Sequence, residues 1–321
     1  MIKLFTHNDL DGWGNIFILE QLFPKKECDC EICNYDNINE KIIDFIIKFK
    51  NGYNQEYNYV FIADIGINEE VAKRIDEINK DKDYIIEILL FDHHKTSEYL
   101  NKYDWVTFDI NKCGTKIFFE SNFIQKYINN YLYLSNEKIN KIEKVVNIID
   151  NYDLWKWVDK NNPYHNSSYE LNLLFWHLGT EELSFLFNLL FQSKSNEDDS
   201  LIRKVNTVIH TLKVEQQNYI KKKIEKIKNN LNVKTDKNDY KFIQINAEQH
   251  ISELGNEILK EFNEIDYVEI YNYDIVNKKI KISLRSMKEN VDVSKIAKIY
   301  NGGGHKHSSG YEIKMEGSYL I

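Results

Sequence analysis

The sequence predicts an α/β protein: a parallel-sheet N-terminal domain, a long connecting helix and a smaller C-terminal α+β domain. Three observations carry this. In the first half, short apolar runs rich in β-branched and aromatic residues alternate with helical periods. Between residues 197 and 231, apolar residues recur at steps of three and four among Lys, Glu and Asn. Beyond that stretch a fresh mixture of strand and helix patterns begins.

Taken in order, Ile2–Phe5 reads as a strand, Thr6–Gly12 as a polar loop and Trp13–Phe23 as a helix. Glu40–Lys50 has a helical period, Tyr59–Ala63 is a buried strand, Glu69–Asn79 a helix, and Ile85–Phe91 a further apolar strand ending at Asp92. Strand, loop and helix in repetition give parallel strands with crossover helices. Helices follow at Thr115–Tyr127, Glu137–Ile149 and Glu181–Phe191. In the long amphipathic stretch the apolar positions run from Leu201 through Val205, Leu212, Ile220 and Ile227 to Leu231, with a break at Gln216 that favours a strut over a dimerising coiled coil. Strands are expected at Phe242–Ile245, Tyr267–Tyr273, Lys279–Leu284 and Tyr311–Met315, helices at Ser252–Phe262 and Val293–Tyr300, and a glycine-rich loop at 302–310. The expected domains are therefore 1–196, a helical linker 197–235, and 236–321.

At roughly 150 residues per domain, 321 residues suit two domains, and 42% hydrophobic residues suffice to fill their cores. No run approaches the roughly 20 apolar residues of a membrane span. The N-terminus lacks the basic segment and apolar run of a secretion signal, so a cytoplasmic protein is expected. Cys28, Cys30 and Cys33 form C-x-C-x-x-C without a second His/Cys cluster; that is an incomplete zinc site, and reduced thiols in a strand are the expectation. A formal charge of −8 argues against a broad basic surface for nucleic acid. It leaves room for an anionic substrate if bound cations supply the positive charge.

Acids and imidazoles gather where strands end. His7, Asp9 and Asp11 follow the first strand, Asp64 follows Tyr59–Ala63, and Asp92, His93 and His94 follow Ile85–Phe91. In open parallel sheets ligands bind beyond the carboxyl ends of the strands, so these clusters should converge. Asp150, Asp153 and Asp159 form a fourth acidic group after the helix that begins near Glu137. Each cluster has a plain structural reading: a loop D-x-D is ordinarily a solvated turn, an Asp after a strand a helix cap, a His pair a surface feature. Their repetition at one structural position speaks for chemistry. Crowded carboxylates repel unless cations separate them. Mixed imidazole and carboxylate donors point to two Mn²⁺ ions, with Fe²⁺, Co²⁺ or Mg²⁺ as alternatives, placed about 3.5–4 Å apart for in-line attack on phosphorus. In an extended loop, His7, Asp9 and Asp11 would all point one way.

The segments HNDLDG (7–12), FIADIG with Asp64, FDHHKT (91–96) and GGGHKHSSG (302–310) occur in the order found in one known family. The chain resembles the DHH phosphoesterases with a C-terminal DHHA1 domain, over nearly its whole length. HNDLDG with a later YDLW is most similar to the oligoribonuclease branch called nanoRNase B. The resemblance implies that His7 and Asp9 bind one metal, that Asp11, His93 and a fourth-motif Asp bind the other, and that Asp64 bridges both. It implies further that His94 contacts the scissile phosphate or the attacking water, with Asp92 orienting the histidine pair. The fourth motif departs from a single Asp: NIIDNYDLW offers both Asp150 and Asp153, of which Asp153, with aromatic neighbours, is preferred. Cys113-Gly114-Thr115 is similar to the family's small-residue helix start beside the site, with helix packing as the competing reading.

In the second domain Gly302, Gly303 and Gly304 permit close backbone approach, so their N–H groups could cradle a phosphate, with His305, Ser308 and Ser309 as added donors. Arg285 is a further phosphate contact in this reading, a surface ion pair in the other. A cleft between catalytic ions and such a clamp would admit a few nucleotides and no long duplex. The expected function is thus a Mn²⁺-dependent exonuclease releasing nucleoside monophosphates from short single-stranded RNA, in a chain whose assembly could be a homodimer. A phosphodiesterase or phosphatase of cyclic mononucleotides, linear dinucleotides or nucleotide 3′-phosphates is the enzymatic alternative; a non-hydrolytic nucleotide-binding module is the alternative of another class.

Overall fold

The structure is a computed structural model and describes residues 1–130, 135–192 and 198–315. The expected domain edge at 196/197 lies outside the described residues, as do the side chain of Leu201 and the residues beyond 315. Two compact units, Met1–Ile209 and His210–Ile321, divide the chain.

The first unit begins β1 (Ile2–His7), α1 (Leu10–Leu22), β2 (Cys28–Cys33), α2 (Ile38–Lys50), β3 (Tyr59–Ala63), α3 (Glu69–Lys80), β4 (Glu87–Asp92) and β5 (Val106–Phe108). Six helices follow: α4 (Gly114–Phe119), α5 (Asn122–Asn130), α6 (Asn136–Asp153), α7 (His165–Leu178), α8 (Thr180–Gln192) and α9 (Asp198–Asn229), the last running past the division between units. The strands form one parallel sheet in the order β2-β1-β3-β4-β5. Alternation assigns the two faces. Phe5, Val60, Ile62, Ile88 and Leu90 pack with α2 and α3 residues such as Ile42, Phe45, Val71 and Ile75. Phe61 and Phe91 turn to the other face, where both meet Phe118 of α4.

In this strand order the chain leaves β1 for β2 on one side and returns to β3 on the other, which makes the carboxyl ends of β1 and β3 the switch point where such sheets bind ligands. Register sharpens the placement. Thr6 pairs with Ala63, and Ala63 with Phe91, so His7, Asp64 and Asp92 emerge level from three adjacent strands.

Several boundaries differ from expectation for local reasons. Helix α1 starts three residues earlier, because the Asp9 side chain accepts the Gly12 N–H at 2.9 Å and caps it. Asp11 therefore lies in the first helical turn, and His7, Asp9 and Asp11 do not alternate along an extended loop. The helix expected over Thr115–Tyr127 is two, broken at Glu120–Ser121, where the Ser121 hydroxyl accepts the Ile124 N–H. Strand β4 starts at Glu87, leaving Ile85 88% exposed outside it. Cys28 and Cys30 share one face of β2 while Cys33 points into the opposite core, so strand alternation keeps the three thiols from one ion.

The second unit continues with β6 (Val233–Thr235), β7 (Lys241–Asn246), α10 (Ile251–Glu261), β8 (Tyr267–Asp274), β9 (Lys279–Arg285), α11 (Val293–Ile299), β10 (Gly303–His305) and β11 (Ser308–Lys314). Its mixed sheet has the order β10-β11-β9-β8-β7-β6, with only β7 and β8 parallel. Ile220 and Ile227 of α9 pack with Ile243, Leu254, Ile258 and Val268 on one face, and Leu284, Val293 and Tyr311 build the other. The expected glycine loop is a hairpin: Gly303 pairs with Gly310, Gly304 with Ser309 and His305 with Ser308. No helix of the described residues is long and apolar enough to cross a membrane.

Candidate metal centre

The strand ends of the first unit bring eight acidic and imidazole side chains together. His7 closes β1, and its Nδ1 lies 2.7 Å from Asp9 Oδ2, while Asp9 Oδ1 holds the start of α1. The turn between them is possible only with glycine at position 12, where a Cβ would fall 1.9 Å from the His7 carbonyl oxygen. Burial opposes charge on both partners, yet their mutual attraction and hydrogen bond win: the Asp9 carboxyl is held well below its ordinary range and the His7 imidazole is raised.

Asp11 is fixed by another element. Its two oxygens accept the Gly114 N–H at 2.7 Å and the Thr115 N–H at 2.8 Å, capping α4. The same Oδ2 stands 3.5 Å from His93 Nε2. Cys113-Gly114-Thr115 thus opens a packed helix, and the N–H groups of Gly114 and Thr115 hold Asp11.

Asp64 occupies the centre. Asn68 caps α3 instead, accepting the Val71 N–H at 2.9 Å, so Asp64 is not spent on the helix. Its backbone is left-handed, φ 60°, a conformation rare outside glycine that Asp tolerates and that recurs at functional sites. The residue is 1% exposed. Its Oδ1 lies 3.2 Å from His93 Nε2 and 3.9 Å from His94 Nδ1, and its Oδ2 lies 3.9 Å from His7 Nδ1. Burial, then Asp11, Asp9 and Asp153, push its carboxyl well above the ordinary range.

Asp92 works from behind. Its Oδ1 accepts the backbone N–H groups of His93 and His94, at 2.8 and 3.2 Å, and the His94 ring at 2.8 Å from Nδ1. Burial alone would raise this carboxyl; the charge and hydrogen bond of His94 hold it below the usual range. Asp153, the last residue of α6, brings Oδ2 to 3.6 Å from His93 Nε2, and burial with Asp11 and Asp9 raises its carboxyl.

Asp150 faces elsewhere. Its Oδ1 accepts the Cys113 N–H at 3.0 Å, at the start of α4, and its Oδ2 pairs with Lys156 Nζ at 2.8 Å, in the turn after α6. Asp159 lies on a surface turn and accepts the Asn161 N–H. Beyond Asp153 the rings of Tyr152, Trp157 and Tyr169 stack at 5.3–5.8 Å, and the Asp150–Lys156 pair ties down the same segment.

Among the donor sets with ligand atoms mutually within 4.8 Å are His7, Asp9 and Asp64, and Asp11, His93 and Asp153. Asp64 Oδ2 and Asp153 Oδ2 are buried with no hydrogen-bond donor among the described residues. An unsatisfied, crowded carboxylate is costly, and mixed nitrogen and oxygen donors suit a divalent cation. The residues present fit such ions.

The second-unit residues lie in their own sheet. Arg285, at the end of β9, donates to Ser252 Oγ at 2.8 Å and to the Leu284 carbonyl at 2.9 Å. Gly302 N–H donates to the Ala297 carbonyl at 2.9 Å and Ser309 Oγ to the His305 carbonyl at 2.7 Å, so an open cradle of three free glycine N–H groups is not what the hairpin offers. Tyr35, in the turn after β2, was not singled out from sequence. Its ring centroid lies 5.3 Å from that of His7 and 6.0 Å from that of His94.

No protein-family model matches the chain. It is 26% identical over 320 residues to oligoribonuclease NrnB of Bacillus subtilis, an alignment covering 98% of this chain and 74% of that protein. It is 24% identical to a 3′,5′-cyclic-nucleotide phosphodiesterase of Helicobacter pylori, covering 96% and 91%. Among solved structures, RecJ from Thermus thermophilus in complex with Mn²⁺ superimposes with a TM-score of 0.54 at 14% identity, over 98% of this chain and 49% of that one, which shows the shared fold. The chain is thus similar along nearly its whole length to oligoribonuclease NrnB and to a cyclic-nucleotide phosphodiesterase, and it shares the fold of RecJ.

Proposed function

We propose that the protein is a metal-dependent phosphodiesterase that hydrolyses short single-stranded RNA to nucleoside monophosphates. The observation that carries this reading is the pair of donor sets, with Asp64 of the first 3.2 Å from His93 of the second, in a chain similar over 98% of its length to an oligoribonuclease. His7, Asp9 and Asp64 would hold one ion and Asp11, His93 and Asp153 a second, with Asp64 shared. Bound there, two divalent cations, Mn²⁺ in first place and Mg²⁺, Co²⁺ or Fe²⁺ as alternatives, supply the positive charge that attracts a phosphodiester and acidifies the attacking water.

The chain's own residues prepare the rest. Asp92 takes the Nδ1 proton of His94 in a hydrogen bond and so leaves Nε2 for the substrate phosphate or the water. The α4 N-terminus holds Asp11 in place through two backbone donors. In the second unit Arg285, His305, Ser308 and Ser309 are assigned to nucleotide contacts. A short oligonucleotide needs no long basic track, in keeping with a net charge of −8.

Incubation of the purified protein with labelled di- to pentaribonucleotides and Mn²⁺ tests the proposal. Mononucleotide products, lost in Asp64→Ala, support it; an intact substrate refutes it. Similarity to a 3′,5′-cyclic-nucleotide phosphodiesterase favours cyclic mononucleotides as the second substrate class, and the same assay decides between them.

A further inference from the structure

Tyr35 sits at the edge of the metal centre without serving any of its carboxylates. It follows β2, the outermost strand of the parallel sheet, by two residues, and the β1–β2 register sets Cys33 level with His7. Its ring is tilted 59° to the His7 imidazole at 5.3 Å and stands edge-on, at 88°, to His94 at 6.0 Å. Two imidazoles thus fix the orientation of the ring, yet 49% of the residue stays exposed. A large aromatic that is held in position and left open to solvent beside a buried site is unlike the other aromatics near it. Trp157, by contrast, has Tyr152 and Tyr169 stacked against it at 5.8 and 5.3 Å.

Asp9, Asp11, Asp64, Asp92 and Asp153 each have an imidazole nitrogen of His7, His93 or His94 within 4 Å. A nucleotide whose phosphate lies at the carboxylates carries its base one sugar away, and the Tyr35 ring centroid lies 5.3 Å from that of His7 and 6.0 Å from that of His94. A ring already oriented loses little rotamer freedom when a base settles on it, and every base offers a π face.

We propose that Tyr35 is a specificity-determining residue whose open ring face stacks on the nucleobase next to the scissile phosphate, so that the site selects nucleotide phosphodiesters over phosphodiesters without a base. This inference rests on the phosphodiesterase reading above. Stacking asks only for the ring, whereas sealing the two histidines from water would alter turnover on every substrate alike.

The test compares the Mn²⁺-loaded wild type with Tyr35→Ala and Tyr35→Phe on a diribonucleotide and on its analogue lacking the base beside the cleaved phosphate. The wild type is expected to favour the base-bearing substrate in kcat/KM by roughly 5- to 150-fold, the range of one base–aromatic stack. Tyr35→Ala should bring that ratio towards one, chiefly through KM, and Tyr35→Phe should restore it. An unchanged ratio in Tyr35→Ala, or an equal fall in Tyr35→Phe, overturns the stacking role. Melting temperature and Mn²⁺ titration establish that each variant is folded; if Tyr35→Ala is not, Tyr35→Leu, which fills the space without a π face, is read in its place by the same criteria. Wild-type cleavage of both substrates at equal rates overturns the stacking role alone. Cleavage of neither overturns the phosphodiesterase reading and the inference with it.

Discussion

Asp64 Oδ1 lies 3.2 Å from His93 Nε2, and that one imidazole nitrogen also stands 3.5 Å from Asp11 Oδ2 and 3.6 Å from Asp153 Oδ2. A single proton on His93 cannot satisfy three carboxylates drawn from three different elements. Divalent ions can. Asp64→Asn keeps the shape and removes the charge, so it should lower kcat/KM by several orders of magnitude. It should also abolish the rise in melting temperature that Mn²⁺ gives the wild type, since only binding to the folded state stabilises. Retained Mn²⁺ stabilisation in the variant would count against the shared-ligand role.

The pH dependence has a definite sign. Asp64 and Asp153 keep their protons to higher pH in the folded protein than in the unfolded chain, because burial and neighbouring carboxylates disfavour charge. His7 also titrates higher when folded, since the charge of Asp9 outweighs burial. For all three the folded state binds more protons, so their contribution is present at low pH and lost as pH rises through the folded values. Asp9 and Asp92, held low by their histidine partners against burial, act in the opposite sense and lose their contribution on acidification. Bound metal displaces the protons on Asp64 and Asp153. The gap in melting temperature between Mn²⁺ and chelator should accordingly widen from about pH 5 to pH 8; a gap that narrows would contradict the assignment.

Asp150 and Asp153 should separate cleanly. Asp153→Asn is expected to lower the bound Mn²⁺ stoichiometry and activity together. Asp150→Ala leaves the buried Cys113 N–H without its acceptor and breaks the Lys156 pair, which should cost about 1–3 kcal/mol of stability with Mn²⁺ stoichiometry retained. Metal titration beside a denaturant melt checks both.

Gly114 is where α4 meets the centre. A Cβ there would fall 2.6 Å from Asp64 Cβ and 2.8 Å from its Cα, and neither atom is the end of a flexible chain. Gly114→Ala should force the α4 N-terminus away from β3, costing about 1–3 kcal/mol and weakening Mn²⁺ binding through Asp11. A variant with unaltered stability and Mn²⁺ affinity would show that the contact relaxes freely.

The convergence of His7, Asp64 and His93 was legible because parallel-sheet topology alone delivers strand ends to one edge. The orientation of Asp11 was not. It depends on Asp9 capping Gly12 and on two α4 N–H groups more than 100 residues away in sequence. Asp150 and Asp153 lie three residues apart on one helix, so periodicity puts them on a common face, and only Cys113 and Lys156 tell them apart. The glycine stretch 302–310 looked like a loop because glycine favours turns; pairing with β11 made it a hairpin. Tyr35 escaped notice since a lone Tyr beside Asn and Asp carries no periodic signal.

Anomalous diffraction at the manganese edge, from crystals grown with Mn²⁺, tests the central claim most directly. Two neighbouring peaks are predicted, one bounded by His7, Asp9 and Asp64, the other by Asp11, His93 and Asp153, with Asp64 touching both. No peak among these residues, or a single one away from Asp64, would contradict the account.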